Sequence, residues 1–119
     1  MNKIFDIKER TYQFGIAVIK ATKSFPRTTA SFVIIDQLIR SAMSIGANIA
    51  EGSAASSKKD FINFYNHSLK SAVETKYWLK SLIDSDLVEK EKLEDLVIEV
   101  SELSKILGSI VSKSRKKQL

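Results

Sequence analysis

Residues 34–53 read IIDQLIRSAMSIGANIAEGS, and the order of apolar and small polar residues in this stretch decides the fold. Ile35, Leu38, Ala42, Ile45 and Ile49 recur at alternating steps of three and four, the rhythm of a helix with one buried seam. A polar row, Gln37, Arg40, Ser44, Asn48 and Glu51, runs beside it. A helix that turns its polar side to water usually carries long charged residues there. Here the row has one Arg and one Glu, and its surroundings are small: Ser41, Gly46, Ala47 and Ala50. Small residues let a neighbouring helix approach closely. The segment is therefore expected to be a central helix buried on more than one side, its polar row matched by other helices or by another subunit.

The same periodicity extends to both sides. A first helix is expected over 6–24, with Asp6 as N-cap and Glu9 in capping-box position. Ile7, Phe14, Val18 and Ala21 make its stripe, and Phe25-Pro26 stops it, because proline and the residue before it resist helical continuation. The central helix is expected over 28–53, capped by Thr28 or Thr29 and ended by Gly52. A third helix over 57–84 carries Phe61, Tyr65, Ser68, Ala72, Thr75, Leu79 and Leu82 in heptad rhythm. A fourth over 87–112 carries Leu93, Leu96, Val100, Leu103, Leu107 and Ile110. Residues 113–119 are expected to form a disordered basic tail. No strand pattern interrupts the series. Four long helices with short connections predict an all-α chain, an antiparallel up-down-up-down four-helix bundle over residues 1–112.

The 119 residues suit one domain with a real core. With no cysteine, neither disulfides nor thiolate metal sites are available, which fits a cytoplasmic setting. The N-terminal MNKIFDIKERTYQF lacks the long apolar core of a secretory signal. No uninterrupted apolar run approaches the roughly 18 residues of a membrane span, so no membrane partner is expected.

Catalytic chemistry finds little support. The lone His67 sits mid-helix between Asn66 and Ser68, with no cysteine to activate. The Glu-x-x-His pattern of bundle metal sites is absent, because Phe64 precedes His67 by three. Gly15, Gly46, Gly52 and Gly108 are scattered, whereas phosphate-binding loops cluster their glycines. The chain is expected to be no enzyme and to hold no metal or cofactor.

Charge is the remaining signal. The net charge is +5, and it is unevenly spread. Residues 86–112 hold seven acids against three bases, and residues 113–119 hold four bases and no acid. Two groups of cations stand out. Lys58 and Lys59 open the third helix, at a terminus that already attracts anions, and Lys59, Asn63, Asn66 and Lys70 continue along one face. Lys113, Arg115, Lys116 and Lys117 make up the tail. Both suit sequence-independent phosphate contacts with RNA or DNA, although a solvated helix start and a solubilising tail would look alike. Arg40 and Glu51 are too far apart on one helix to pair with each other, so each needs a partner elsewhere. The broad apolar faces, including Tyr77 and Trp78, exceed what one small core needs and suggest a homo-oligomer.

Several of these residues together carry a resemblance. Gln37-Leu38-Ile39-Arg40-Ser41-Ala42, Ser44-Ile45 and Asn48-Ile49-Ala50-Glu51-Gly52, with Phe25-Pro26 upstream and Ser57, Asp60-Phe61 and Phe64-Tyr65 downstream, resemble the signature of bacterial four-helix bundle proteins associated with intervening sequences in 23S ribosomal RNA genes. The resemblance runs from about Phe5 to Val111. It implies a subunit that assembles as a ring, a pentamer, and brings no catalytic residues. A similar protein is the accessory variability determinant of diversity-generating retroelements, a basic pentameric barrel that works with a reverse transcriptase. The chain departs from the family at Lys70-Ser71-Ala72-Val73-Glu74-Thr75, where members often read Gly-Ser-Leu-x-Glu-Leu. Two functions follow as expectations: an oligomeric nucleic-acid-binding bundle, or a protein-interaction adaptor that docks a partner through the acidic start of the fourth helix and Tyr77-Trp78.

Overall fold

The computed structural model describes residues 3–118, with side chains described from Ile7 to Lys117; Met1, Asn2 and Leu119 lie outside the described residues. Four helices fill it: α1 (Lys3–Thr22), α2 (Thr29–Ser53), α3 (Lys58–Asp84) and α4 (Lys90–Gln118). Each packs on two others, α1 and α3 both lying between α2 and α4. Contacts across the seams run in opposite senses along the chain. Thr11 approaches Gly46 and Gly15 approaches Met43, while Ser68 bonds to Ile45 and Thr75 to Ser41. The bundle is therefore antiparallel, and it measures 48 × 23 × 20 Å.

The heptad seam of α2 is its core face. Ile35, Leu38, Ala42, Ile45 and Ile49 are all buried, facing Tyr65, Ala72, Leu79 and Leu82 of α3 and Leu93, Val100, Leu103 and Leu107 of α4. Polar groups close the α2–α3 seam. Ser68 Oγ donates to the Ile45 carbonyl (2.8 Å), Ser71 Oγ to Ser44 Oγ (2.9 Å), and Thr75 Oγ1 lies 2.9 Å from Ser41 Oγ. Small hydroxyl residues permit this close approach, and each hydroxyl finds a partner, as burial demands. Across the α1–α4 seam, the Arg10 guanidinium forks onto Glu99 (2.7 and 3.0 Å) and reaches Glu102 (3.1 Å). The hydrogen bond to Glu99 raises the Arg10 pKa further above its ordinary value. About a third of each side chain in the fork remains exposed, so its stabilisation is about 1 kcal/mol or less.

The turns account for where the boundaries differ from expectation. Helix α1 begins at Lys3, so Asp6 lies inside it and is not its N-cap. Thr28 caps α2 in a box whose reciprocal partner is Ser31: the Ser31 N–H donates to Thr28 Oγ1 (3.1 Å) and the Thr28 N–H to Ser31 Oγ (2.8 Å). Ser31 Oγ also donates to the Pro26 carbonyl (2.6 Å), tying the cap to the proline turn. Gly52 does not end α2 by a left-handed turn. No glycine among the described residues has positive φ, and Ala54 is the C-cap. Gly52 is needed for space instead: a Cβ there would lie 2.9 Å from the Tyr65 ring.

Helix α4 starts at Lys90 and not at 87, because Leu87 and Val88 belong to the cap of α3. Asp86 takes the left-handed conformation (φ 61°), and the Leu87 N–H donates back to the Leu82 carbonyl (3.1 Å) while the Asp86 N–H donates to Ile83 (3.0 Å). This is a Schellman ending with Asp where Gly is usual, and Val88 is buried beneath it. At its far end α4 continues through Gln118, past the expected boundary at 112. Lys, Arg and Gln are good helix formers, and Arg115, Lys116 and Lys117 in the last turn complement the negative end of the helix dipole. Helix α2 differs from the run-length expectation as well. Its mean hydropathy, 1.2 over 18 residues, would allow a membrane crossing by length and composition, and 33% of that window is buried within the chain. Its seam is committed to the bundle core.

Candidate nucleic-acid interface

The antiparallel order brings the end of α2, the start of α3 and the end of α4 to the same end of the bundle. Ser57 fixes the start of α3, accepting the Asp60 N–H (3.1 Å) on its Oγ. Lys58 and Lys59 follow it into solvent. Asn63 and Lys70, one and three turns on, are exposed as well. From the opposite direction α4 delivers Lys113, Arg115, Lys116 and Lys117, all exposed. Because α4 is helical here, its cations hold fixed positions beside α3. The described acids at this end include Glu51, in the last turn of α2, and Asp60, in the first turn of α3. Among the described residues, the ion pairs are those of Arg10 alone, so none of these cations is seen in one.

Between the two helices lies an open groove of about 610 Å³, lined by Asn66, Leu69, Gly108, Val111, Ser112, Arg115 and Lys116. Asn66 belongs to the polar face running from Lys59 through Asn63 to Lys70, so that face borders the groove. Two cationic stretches more than forty residues apart in sequence thus share one surface. Sequence reasoning identified the cations and missed the groove floor. The available signal was Gly108, a glycine inside the regular stripe of the fourth helix.

The polar row of α2 divides. Ser44 and Asn48 are half-buried and bonded: Asn48 Nδ2 donates to the Ser44 carbonyl (2.8 Å) and contacts Ser44 Oγ (2.9 Å), which in turn accepts from Ser71. Gln37 is half-buried. Arg40 and Glu51 point to solvent without an ion pair among the described residues. Buried hydrogen bonding therefore describes the middle of the row and not its two charged members. The reason is angular: Arg40 belongs with Asp36, Met43, Ala47 and Ala50 on the outward stripe of α2.

Beyond Asp36 and Arg40 that outward stripe is apolar. With Thr11, Tyr12 and Gly15 of α1, the residues Met43, Gly46, Ala47 and Ala50 line a second, smaller hollow of about 170 Å³. Tyr12 and Met43 are exposed there, and Phe32 and Val33 are exposed nearer the start of α2. In the opposite half of α3, Tyr77 is 63% exposed and meets Trp78 edge-on at 5.0 Å, and the Trp78 Nε1 is buried without a partner. Glu89, Glu91, Glu94 and Asp95 are exposed at the start of α4, away from the cationic end. His67 is exposed, and no group of His, Asp or Glu among the described residues could hold a metal.

The family described as 23S rRNA-intervening sequence protein matches residues 3–109. A crystal structure from Bacteroides thetaiotaomicron VPI-5482, of a protein with unknown function from the S23 ribosomal protein family, is similar at 36% identity. The similarity covers 93% of this chain and 99% of that one, with a TM-score of 0.86. No curated protein matches the chain.

Proposed function

The chain belongs to the 23S rRNA-intervening sequence protein family, and on that premise we propose that it is a self-assembling, non-enzymatic bundle that binds nucleic acid through its cationic end. One observation carries the reading: Lys58, Lys59 and Lys70 of α3 and Lys113, Arg115, Lys116 and Lys117 of α4 are exposed, form no ion pair among the described residues and converge on one end. Such a surface attracts phosphates by releasing their condensed counterions. Self-assembly is supported by α2, whose outward stripe beyond Asp36 and Arg40 is apolar and small, with Met43, Ala47 and Ala50 where a solvent-facing helix would be charged. The ring of five implied by the family resemblance is the arrangement we favour, with Arg40 and Glu51 pairing between subunits.

The test is a salt titration of RNA binding followed by fluorescence anisotropy. The affinity for single-stranded RNA should fall steeply with salt. Replacing Arg115 and Lys116 with Gln should lower the log–log slope by about 1.4, two phosphate contacts' worth. A salt-independent affinity would sink the reading. Light scattering at micromolar concentration should show an oligomer that Ala47→Arg disperses; a strictly monomeric wild type would remove the assembly part. A second reading, an adaptor that docks a protein partner, is favoured by exposed Tyr77 beside the unpartnered Trp78 Nε1. Partner docking that persists after residues 113–119 are removed and Lys58 and Lys59 neutralised would select it.

A further inference from the structure

Three of the four glycines have a packing reason. A Cβ at Gly15 would meet Met43 Sδ at 2.9 Å, one at Gly46 the Thr11 backbone at 3.3 Å, and one at Gly52 the Tyr65 ring at 2.9 Å. Gly108 has none: a Cβ there would meet nothing within 4 Å. A glycine in a helix interior is nonetheless less stable than alanine by about 1 kcal/mol. The bare backbone at Gly108 forms part of the floor of the α3–α4 groove, together with Leu69 and Val111. The rest of the lining is polar: the Asn66 amide and Ser112 hydroxyl, then Arg115 and Lys116.

Phosphate binding alone gives no use to an apolar floor. Cations on a convex surface would serve as well. An unpaired nucleotide uses every part of it. Its planar base presents two apolar faces, its edge carries donors and acceptors, and its phosphate carries the charge. Asn66 offers both a donor and an acceptor to a base edge. Arg115 and Lys116 stand where a flanking phosphate would be neutralised. A base stacked inside a duplex offers neither its faces nor its pairing edge. Charge complementarity commits the groove to a polyanion: Lys70, Lys113 and Lys117 lie beyond its two cationic lining residues, and no acid lines it.

Resting on the nucleic-acid reading above, we infer that the groove between α3 and α4 takes an unpaired nucleotide, its base over Gly108, Leu69 and Val111 and its edge at Asn66. The protein then prefers single strands to duplexes, through contacts separate from the phosphate contacts of the surrounding lysines.

The experiment compares a short oligouridylate with a blunt RNA duplex of equal length, each labelled and titrated with the full chain at matched salt. The wild type should favour the single strand by about tenfold, the contribution of one well-seated base. Gly108→Leu puts a side chain into the groove from a position whose Cβ meets nothing within 4 Å. It should abolish this preference, bringing the affinity for the single strand down to that for the duplex. Asn66→Ala, which adds no bulk, should reduce the preference in the same direction, with circular dichroism verifying the fold of both variants. Equal wild-type affinity for the two probes, each still salt-sensitive, overturns the inference and leaves the nucleic-acid reading standing. No binding of either probe overturns both. Tighter binding of a glutamate-rich amphipathic peptide than of oligouridylate, lost in Gly108→Leu, assigns the groove to a protein partner and also overturns the inference.

Discussion

Towards α2, helix α3 presents Ser68, Ser71 and Thr75, each hydrogen-bonded into a seam so close that Gly52 is required beneath Tyr65. Towards the end of α4, the same helix presents Asn66 and Leu69 to a groove that no side chain fills. The two edges are within a few residues of each other on one rigid element. On the first, small residues bring backbones together. On the second, a small residue leaves a space open. Small size alone therefore does not say which purpose a residue serves, and the facing partner decides it.

The contrast can be broken by substitutions of one kind on both sides. Ser68→Leu should have the largest effect, because Ser68 is fully buried and loses its bond to Ile45 as bulk is added. We expect a loss of about 3 kcal/mol in urea unfolding. A loss below a few tenths would mean that the seam is loosely packed. Gly52→Ala comes next, with an expected loss of about 2 kcal/mol from the clash with the Tyr65 ring, net of the helix propensity that alanine gains.

Tyr65→Phe reverses the sign. The Tyr65 hydroxyl is buried without a partner, and Ser53, close enough to offset this in part, donates instead to the Ile49 carbonyl (2.9 Å). Removing the orphaned group should stabilise by about 1 kcal/mol. Burial also pushes the phenol pKa above its ordinary 10.0. The unfolded chain then loses this proton more readily than the folded one. The stability that depends on it is intact below pH 10 and declines as pH rises beyond it. Alkaline unfolding curves should diverge there, the wild type falling away from Tyr65→Phe; parallel curves would contradict the burial. The smallest effect belongs to Gly108→Ala, a gain of about 0.5–1 kcal/mol in the open groove. A loss there would show that the groove is closed in solution.

Much of the fold was readable from periodicity. All five seam residues of α2 are buried, as are Tyr65, Ser68, Ala72, Thr75, Leu79 and Leu82 of α3. The heptad rhythm reports one face of a helix reliably because the core enforces it. Boundaries were less legible. The end of α3 hides in Asp86, whose left-handed backbone is chosen by the Leu87 and Val88 contacts and not by its own identity. The extension of α4 to Gln118 was readable in the helix propensity of its Lys, Arg and Gln residues, but a dense run of cations at a chain end also has the composition of a disordered tail. At the candidate site, the cationic residues were visible as charge, and their convergence followed once the helices alternated. The groove was not visible, because an empty volume is a relation between two helices and has no residue type of its own. Arg40 and Glu51 show the opposite failure: a rhythm three and four apart placed them beside bonded neighbours, but the helix turns them outward.

Three of the four seams join helices that follow one another along the chain, so a short turn keeps each pair together even when their side chains part. The α1–α4 seam has no such tether; Arg10 reaches Glu99 and Glu102 across the full length of the sequence. Opening by fluctuation therefore begins there, with α1 swinging away on the Phe25-Pro26 elbow. The amide protons of the first helix are the ones that should trade with deuterated solvent soonest.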